Sequence, residues 1–141
     1  MPTTLSDKAV AAINGGLLAH LVTVNPDGSP LVRCVWTFAE PDALTIGSMG
    51  LDKRYVRNLQ RDQRVSVSYE SGRNDAHGLA EYLVVEGTAE VVGPGGRELL
   101  TRLAKAYIGP DSHSFEDPSL GPGDLIRIAI NRVGGHGDWV N

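Results

Sequence analysis

The sequence predicts a mainly β fold: six antiparallel strands forming a small barrel, with helices packed on its outside. Three observations carry this. Apolar runs such as Leu18–Val24 and Ala43–Ser48 are bounded by the turn signals Asn25-Pro26-Asp27-Gly28 and Glu40-Pro41-Asp42. Leu125, Arg127 and Ala129 alternate with Ile126, Ile128 and Ile130, which is the period of a strand. Helical spacing is confined to short segments between such runs.

In chain order, Ser6 can cap a short helix over about 7–14, with Ala9, Val10 and Ile13 on one side and Gly15-Gly16 as its stop. Leu18–Val24, the Asn25–Gly28 turn and Pro30–Phe38 read as a hairpin, and Ala43–Ser48 as a third strand. After Gly50 the spacing turns helical. Tyr55, Val56 and Leu59 form a narrow apolar stripe, and Lys53, Arg57 and Arg61 recur at every fourth residue. Val65–Tyr69 is a fourth strand, 70–80 a polar loop, and Tyr82–Val92 a fifth strand in which Gly87 marks a bulge or a close backbone approach. Gly93-Pro94-Gly95-Gly96 breaks the sheet and opens a helix over about 96–108. A proline-bearing surface loop at 110–123 then leads to the last strand, Asp124–Val133, and a tail holding His136 and Trp139.

At 141 residues, against roughly 100–200 per domain, the chain reads as a single domain over 1–141. A barrel of this size buries a modest core, so pairing with a second copy would add stability. The net charge is −4, with 41% hydrophobic and 21% charged residues, the balance of an ordinary folded domain. No apolar run approaches the ~20 residues of a membrane span, and MPTTLSDK has no secretory plan, so the expected setting is the cytoplasm, with no membrane partner. The acidic total argues against a nucleic-acid partner. Yet five of the thirteen basic residues (Lys53, Arg54, Arg57, Arg61, Arg64) fall within 53–64, a local positive patch suited to a small anionic ligand.

The usual catalytic templates are missing. There is no Gly-x-Ser-x-Gly elbow. Cys34, the only cysteine, sits among apolar strand neighbours and is expected to be a buried thiol rather than a nucleophile. His20, His77, His113 and His136 lack metal-ligand spacing, so no metal is expected. Gly93 and Gly95 fit the start of a dinucleotide fingerprint, but Glu98 stands where the third glycine belongs and would repel phosphate. Side chains that offer so little bond-making chemistry point to a redox cofactor that carries the reactive atom itself.

Two stretches, AHLVTVNPDGSPLVRCVWTF at 19–38 and KRYVRNLQRDQRVSV at 53–67, are followed by VEGTAEVV at 85–92. In this order they resemble the pyridoxamine 5′-phosphate oxidase-like, FMN-binding split barrels, and within them the deazaflavin (coenzyme F420)-dependent oxidoreductases. The resemblance covers nearly the whole chain. It implies a six-stranded split barrel and a homodimer with two cofactor sites at the subunit seam. The second strand, about Val32–Thr37 and so including Val35, Trp36 and Thr37, would lie along the cofactor ring. Gly47, Ser48, Met49 and Lys53 would hold its phosphate.

The residues themselves support the phosphate part, because Lys53 opens a helix whose free N–H groups favour an anion and Arg54 and Arg57 add charge within a turn. Arg61 and Arg64 read as members of surface pairs, Arg33 as a contact to a polyanionic tail or to a dimer partner, and Trp36 as a ring contact or core filler. Relatives carry an arginine just before the lysine, where this chain has Leu51 and Asp52. That departure favours the deazaflavin, with its longer tail, over FMN. The Arg-rich ending of the vitamin-forming oxidases is replaced by GGHGDWVN, which argues against pyridoxamine phosphate as substrate. The resulting expectation is hydride transfer from reduced coenzyme F420 to a small conjugated or quinone-like molecule, with Tyr69, Tyr82 and His136 as candidate proton donors and loops 70–81 and 110–123 shaping the substrate pocket. The alternatives are an FMN enzyme of the same fold, or a non-catalytic carrier of flavin, deazaflavin or haem, for which His136 would be an axial ligand.

Overall fold

The Asn25–Gly28 turn joins β1 (Ala19–Val24) to β2 (Pro30–Val35) as an antiparallel hairpin, in a computed structural model that describes residues 2–140. The remaining strands are β3 (Phe38–Glu40), β4 (Ala43–Ser48), β5 (Arg64–Asn74), β6 (Ala80–Pro94) and β7 (Asp124–His136). All seven form one antiparallel sheet in the order β2-β1-β5-β6-β7-β4-β3. Three helices, α1 (Asp7–Asn14), α2 (Arg54–Arg61) and α3 (Gly96–Tyr107), and a short 3-10 turn at Pro118–Leu120 complete the fold. No helix among the described residues is long and apolar enough to cross a membrane.

The split-barrel expectation holds, with one strand divided. Pro30–Phe38 reads as a single strand in sequence, but it breaks at Trp36–Thr37, so β2 pairs with β1 while β3 pairs with β4. The break is held in place by Thr37, which is fully buried. Its hydroxyl meets the Tyr69 hydroxyl at 2.7 Å, and its amide donates to Tyr107 Oη at 3.1 Å.

One face of the sheet makes the core. Leu21, Val67, Val85 and Val133 stand opposite one another across β1, β5, β6 and β7, and all are fully buried. α1 contributes Ala9 and Ile13 to the same core, and α2 contributes Val56 and Leu59. Ser6 caps α1 as expected, its hydroxyl accepting from the Ala9 amide at 3.1 Å. Gly87 is the close approach read from the sequence. The β6–β7 register shifts there, and a Cβ would lie 2.6 Å from the Ala129 carbonyl oxygen.

Three local expectations are corrected. The polar loop at 70–80 is mostly strand: β5 and β6 extend into it and leave only the turn at 75–79, closed by Asp75 and Leu79. The last strand, expected to end at Val133, runs on to His136, with Gly134–His136 paired to Tyr82–Val84; beyond it the Trp139 side chain is fully buried. Cys34 is exposed rather than buried. Its apolar neighbours misled because β2 is an edge strand and four of its six residues are exposed.

Candidate cofactor site

α2 is amphipathic in a specific way. Tyr55, Val56 and Leu59 point into the core, while Arg54, Arg57, Asn58 and Arg61, spaced i, i+3, i+4 and i+7, share another face. Asn58 fastens that face to the sheet. Buried, it donates through Nδ2 to Thr23 Oγ1 at 3.1 Å and to Asn25 Oδ1 at 2.9 Å. Arg61 donates to Asn58 Oδ1 at 3.3 Å and to the Val24 carbonyl. The β1–β2 turn is rigid in its own right: Gly28 donates to the Asn25 carbonyl at 2.9 Å, and the Ser29 amide donates to Asp27 Oδ1 at 3.0 Å. The Ser29 hydroxyl, donating to the same oxygen at 2.5 Å, and after it this amide hold the Asp27 carboxyl below its ordinary range.

Between this turn and α2 lies a cleft of about 780 Å³, walled by Asn25, Asp27 and Ser29 on one side and by Arg54, Arg57 and Arg61 on the other. Three guanidiniums face one carboxylate. Neither Arg54 nor Arg57 forms an ion pair among the described residues. Forked, unpaired guanidiniums at a cleft wall match phosphate or carboxylate oxygens.

The remaining candidates fall into separate groups. Arg33 and Val35 stand opposite Leu21 and Ala19, so they share the inward face to which Asn58 ties α2. Arg33 is exposed and makes only a 3.0 Å bond to the neighbouring Val32 carbonyl. Lys53 is exposed one residue ahead of α2, with extended backbone, and is not part of the cleft wall. The Ser48 hydroxyl is internal, donating to the Gly50 carbonyl at 2.8 Å, and Met49 is half-buried beside it. Gly47 serves packing: a Cβ would sit 2.5 Å from the Gly96 carbonyl oxygen. Trp36 stacks on Tyr107 at 5.1 Å.

Arg61, read as a surface pair, belongs to the cleft, while Arg64 does pair with Asp62 at 2.7 Å. Sequence reading missed Asn58 and Asn25. The i, i+3, i+4, i+7 pattern on α2 puts Asn58 on the same face as the three arginines, but nothing in the sequence brings Asn25 to it. Of the proton-donor candidates, Tyr69 is sealed in the core and burial pushes its phenol up. His136 is half-buried and bound to Asp75 at 2.7 Å, and Tyr82 is exposed.

One backbone feature adds to the site. The sheet ends in β2 on one side and β3 on the other. The β3 edge is occupied, because Asn14 donates to the Ala39 carbonyl at 3.0 Å and accepts from its amide at 2.7 Å. Among the described residues β2 has no comparable cover, so its outer row of N–H and C=O groups stays open apart from the Arg33 contact.

The family model for pyridoxamine 5′-phosphate oxidase matches residues 5–137. The chain belongs to this family. Solved structures with the family's fold include an F420 reductase (TM-score 0.68, 23% identity, covering 88% of this chain and 94% of that one). A conserved hypothetical protein from Mycobacterium tuberculosis matches with a TM-score of 0.66 and 24% identity, over 96% of this chain and 87% of its own. HupZ of Group A Streptococcus matches at 0.65 and 17%, over 96% and 97%. At these identities the likeness establishes the shared fold.

Proposed function

We propose that the protein is an oxidoreductase that binds deazaflavin coenzyme F420 and passes hydride to a small conjugated or quinone-like substrate. The observation that carries this reading is the cleft in which Arg54, Arg57 and Arg61 face a single carboxylate beside the open edge of β2. The donor set fits a phosphate-bearing coenzyme with an anionic tail, and the unpaired backbone row fits the polar rim of a flat heterocycle. Membership in the pyridoxamine 5′-phosphate oxidase family and the similarity to an F420 reductase point the same way.

The bound coenzyme supplies the hydride chemistry. The chain's residues bind and orient. Arg54 and Arg57 hold anionic oxygens, Asn58 fixes the wall they stand on, and Arg33 and Val35 line the strand that runs from the cleft. Orienting the reactants and excluding water are what this scaffold contributes to rate. The functional unit in this proposal is a homodimer. Its support is the exposed outer face around β2, where Val32 is 52% exposed opposite the half-buried Val22.

The test is spectroscopic titration of the purified full chain with coenzyme F420 and with FMN. Deazaflavin absorbs near about 420 nm and flavin near about 450 nm, so each is followed in its own band. Tighter binding of F420, and turnover with a quinone or enone acceptor, is the expected result. Preference for FMN would assign the same cleft to a flavin, and binding of neither would refute the reading.

A further inference from the structure

Phe115 is the one non-glycine residue with positive φ among the described residues, at 67°, a conformation that bulky L-residues seldom adopt. The surrounding structure keeps it there. Its carbonyl accepts from Arg97 Nη1 at 3.2 Å and from Thr101 Oγ1 at 3.0 Å, and Arg97 Nε donates to the Gly121 carbonyl at 2.9 Å. Both donors stand on α3, so a rigid element clamps the loop on either side of the strained residue. Backbone strain that is held this firmly concentrates where a site needs a side chain in one place.

What the strain positions is an aromatic ring. The Phe115 and Trp36 rings lie 6.0 Å apart with planes at 86°, and both residues are half-buried. Trp36 is backed by Tyr107, stacked at 5.1 Å and 13°, whose hydroxyl donates to the Leu17 carbonyl at 2.6 Å. Two perpendicular rings make a right-angled corner. A flat guest lying along one ring is met edge-on by the other, and both contacts suit aromatic quadrupoles. Two polar neighbours are already committed, Arg97 to carbonyls and the Tyr107 hydroxyl to Leu17 and Thr37, while His113, Lys105 and Glu116 of the adjoining segment pair with one another, so the rings are what the corner offers a guest. Trp36 also directly follows the open edge strand β2.

We propose that Trp36 and Phe115 form a specificity corner for a flat, uncharged conjugated ring such as a quinone. The catalytic meaning of this corner rests on the oxidoreductase reading above, but its capacity to bind a ring does not. The probe is menadione, added to the cofactor-free full chain while tryptophan fluorescence is followed. Trp139 is fully buried, so quenching reports on Trp36, and Trp36→Phe checks that assignment.

Saturable quenching in the wild type is expected, lost in Trp36→Phe. It should weaken roughly three- to tenfold in Phe115→Gly, the loss expected of one aromatic contact. Glycine suits the positive φ, so that variant should fold, and Phe115→Leu keeps apolar bulk without a ring and should weaken binding to a similar extent. Purely collisional quenching in the wild type, or unchanged affinity in both Phe115 variants, would overturn the proposal. The two readings can fail separately. A chain that binds menadione here but neither coenzyme keeps the corner and loses the cofactor reading, and one that binds F420 but shows no saturable quenching does the reverse.

Discussion

Arg57 reaches the cleft with no carboxylate partner, whereas Lys53 stands outside its wall, and the two residues divide the consequences of losing charge. Replacing Arg57 with alanine should weaken coenzyme binding by about 1.5–3 kcal/mol, the range for a lost charged hydrogen bond, while Lys53→Ala should have a smaller effect. Fluorescence titration of both variants checks this, and a larger loss at Lys53 would move the anion to the front of α2. Gly47 makes a contrasting prediction about stability. Its missing side chain leaves room for the Gly96 carbonyl and for Leu100, so Gly47→Ala should cost about 1–3 kcal/mol of stability in urea denaturation through overpacking. Cys34 marks what sequence cannot show at this scale. Apolar neighbours predict burial only if the strand is covered on both faces, and whether a strand lies inside or at an edge is decided by the other strands.

α2 shows which parts of an element are legible. The apolar stripe Tyr55, Val56 and Leu59 is visible in the spacing and is buried as expected. The anchoring role of Asn58 was not legible, because it depends on Thr23 and Asn25 arriving from another strand and its turn. Asn58→Ala should remove both bonds and strand a buried hydroxyl, costing about 1–3 kcal/mol by denaturant melting and loosening the arginine wall with it. The far end of α2 carries a pH dependence. Arg64 binds the Asp62 carboxylate through its side chain and its amide and lowers it from 3.8 to about 2. The charged form is the one favoured on folding, so this contribution is present above pH about 4 and disappears as pH falls through about 2. Melting curves of wild type and Asp62→Asn should therefore converge at the acid end. The pair is exposed, so the separation at neutral pH should be small.

For the whole molecule, the succession of strands along the chain and the first hairpin could be read from turn signals, and the family pattern supplied the barrel. The order in which the strands pair across the sheet could not be read. The division of the second strand could not, because Trp36 and Thr37 have ordinary strand character and are pulled out of line by Tyr69 and Tyr107, distant in sequence. The same architecture makes the proposed dimer testable through a single thiol. Cys34 faces outward beside Val32, so Ellman's reagent should label it readily at low protein concentration and more slowly as concentration rises, in step with the molecular mass from sedimentation. Labelling that is independent of concentration, with a monomeric mass, would refute the pairing.

The two-residue step between β2 and β3 has an implication for how the length of this chain can change. β2 takes its register from β1 and β3 from β4, while Thr37 is pinned between them by its amide and its hydroxyl. An inserted residue there has no slack to absorb it and would either break those bonds or turn β3 over, carrying the buried Ala39 toward solvent. The tips at 26–28 and 76–78 are exposed turns, where an added residue only lengthens a loop. Natural length variation in such sequences should therefore gather at the hairpin tips and avoid the Trp36–Thr37 step.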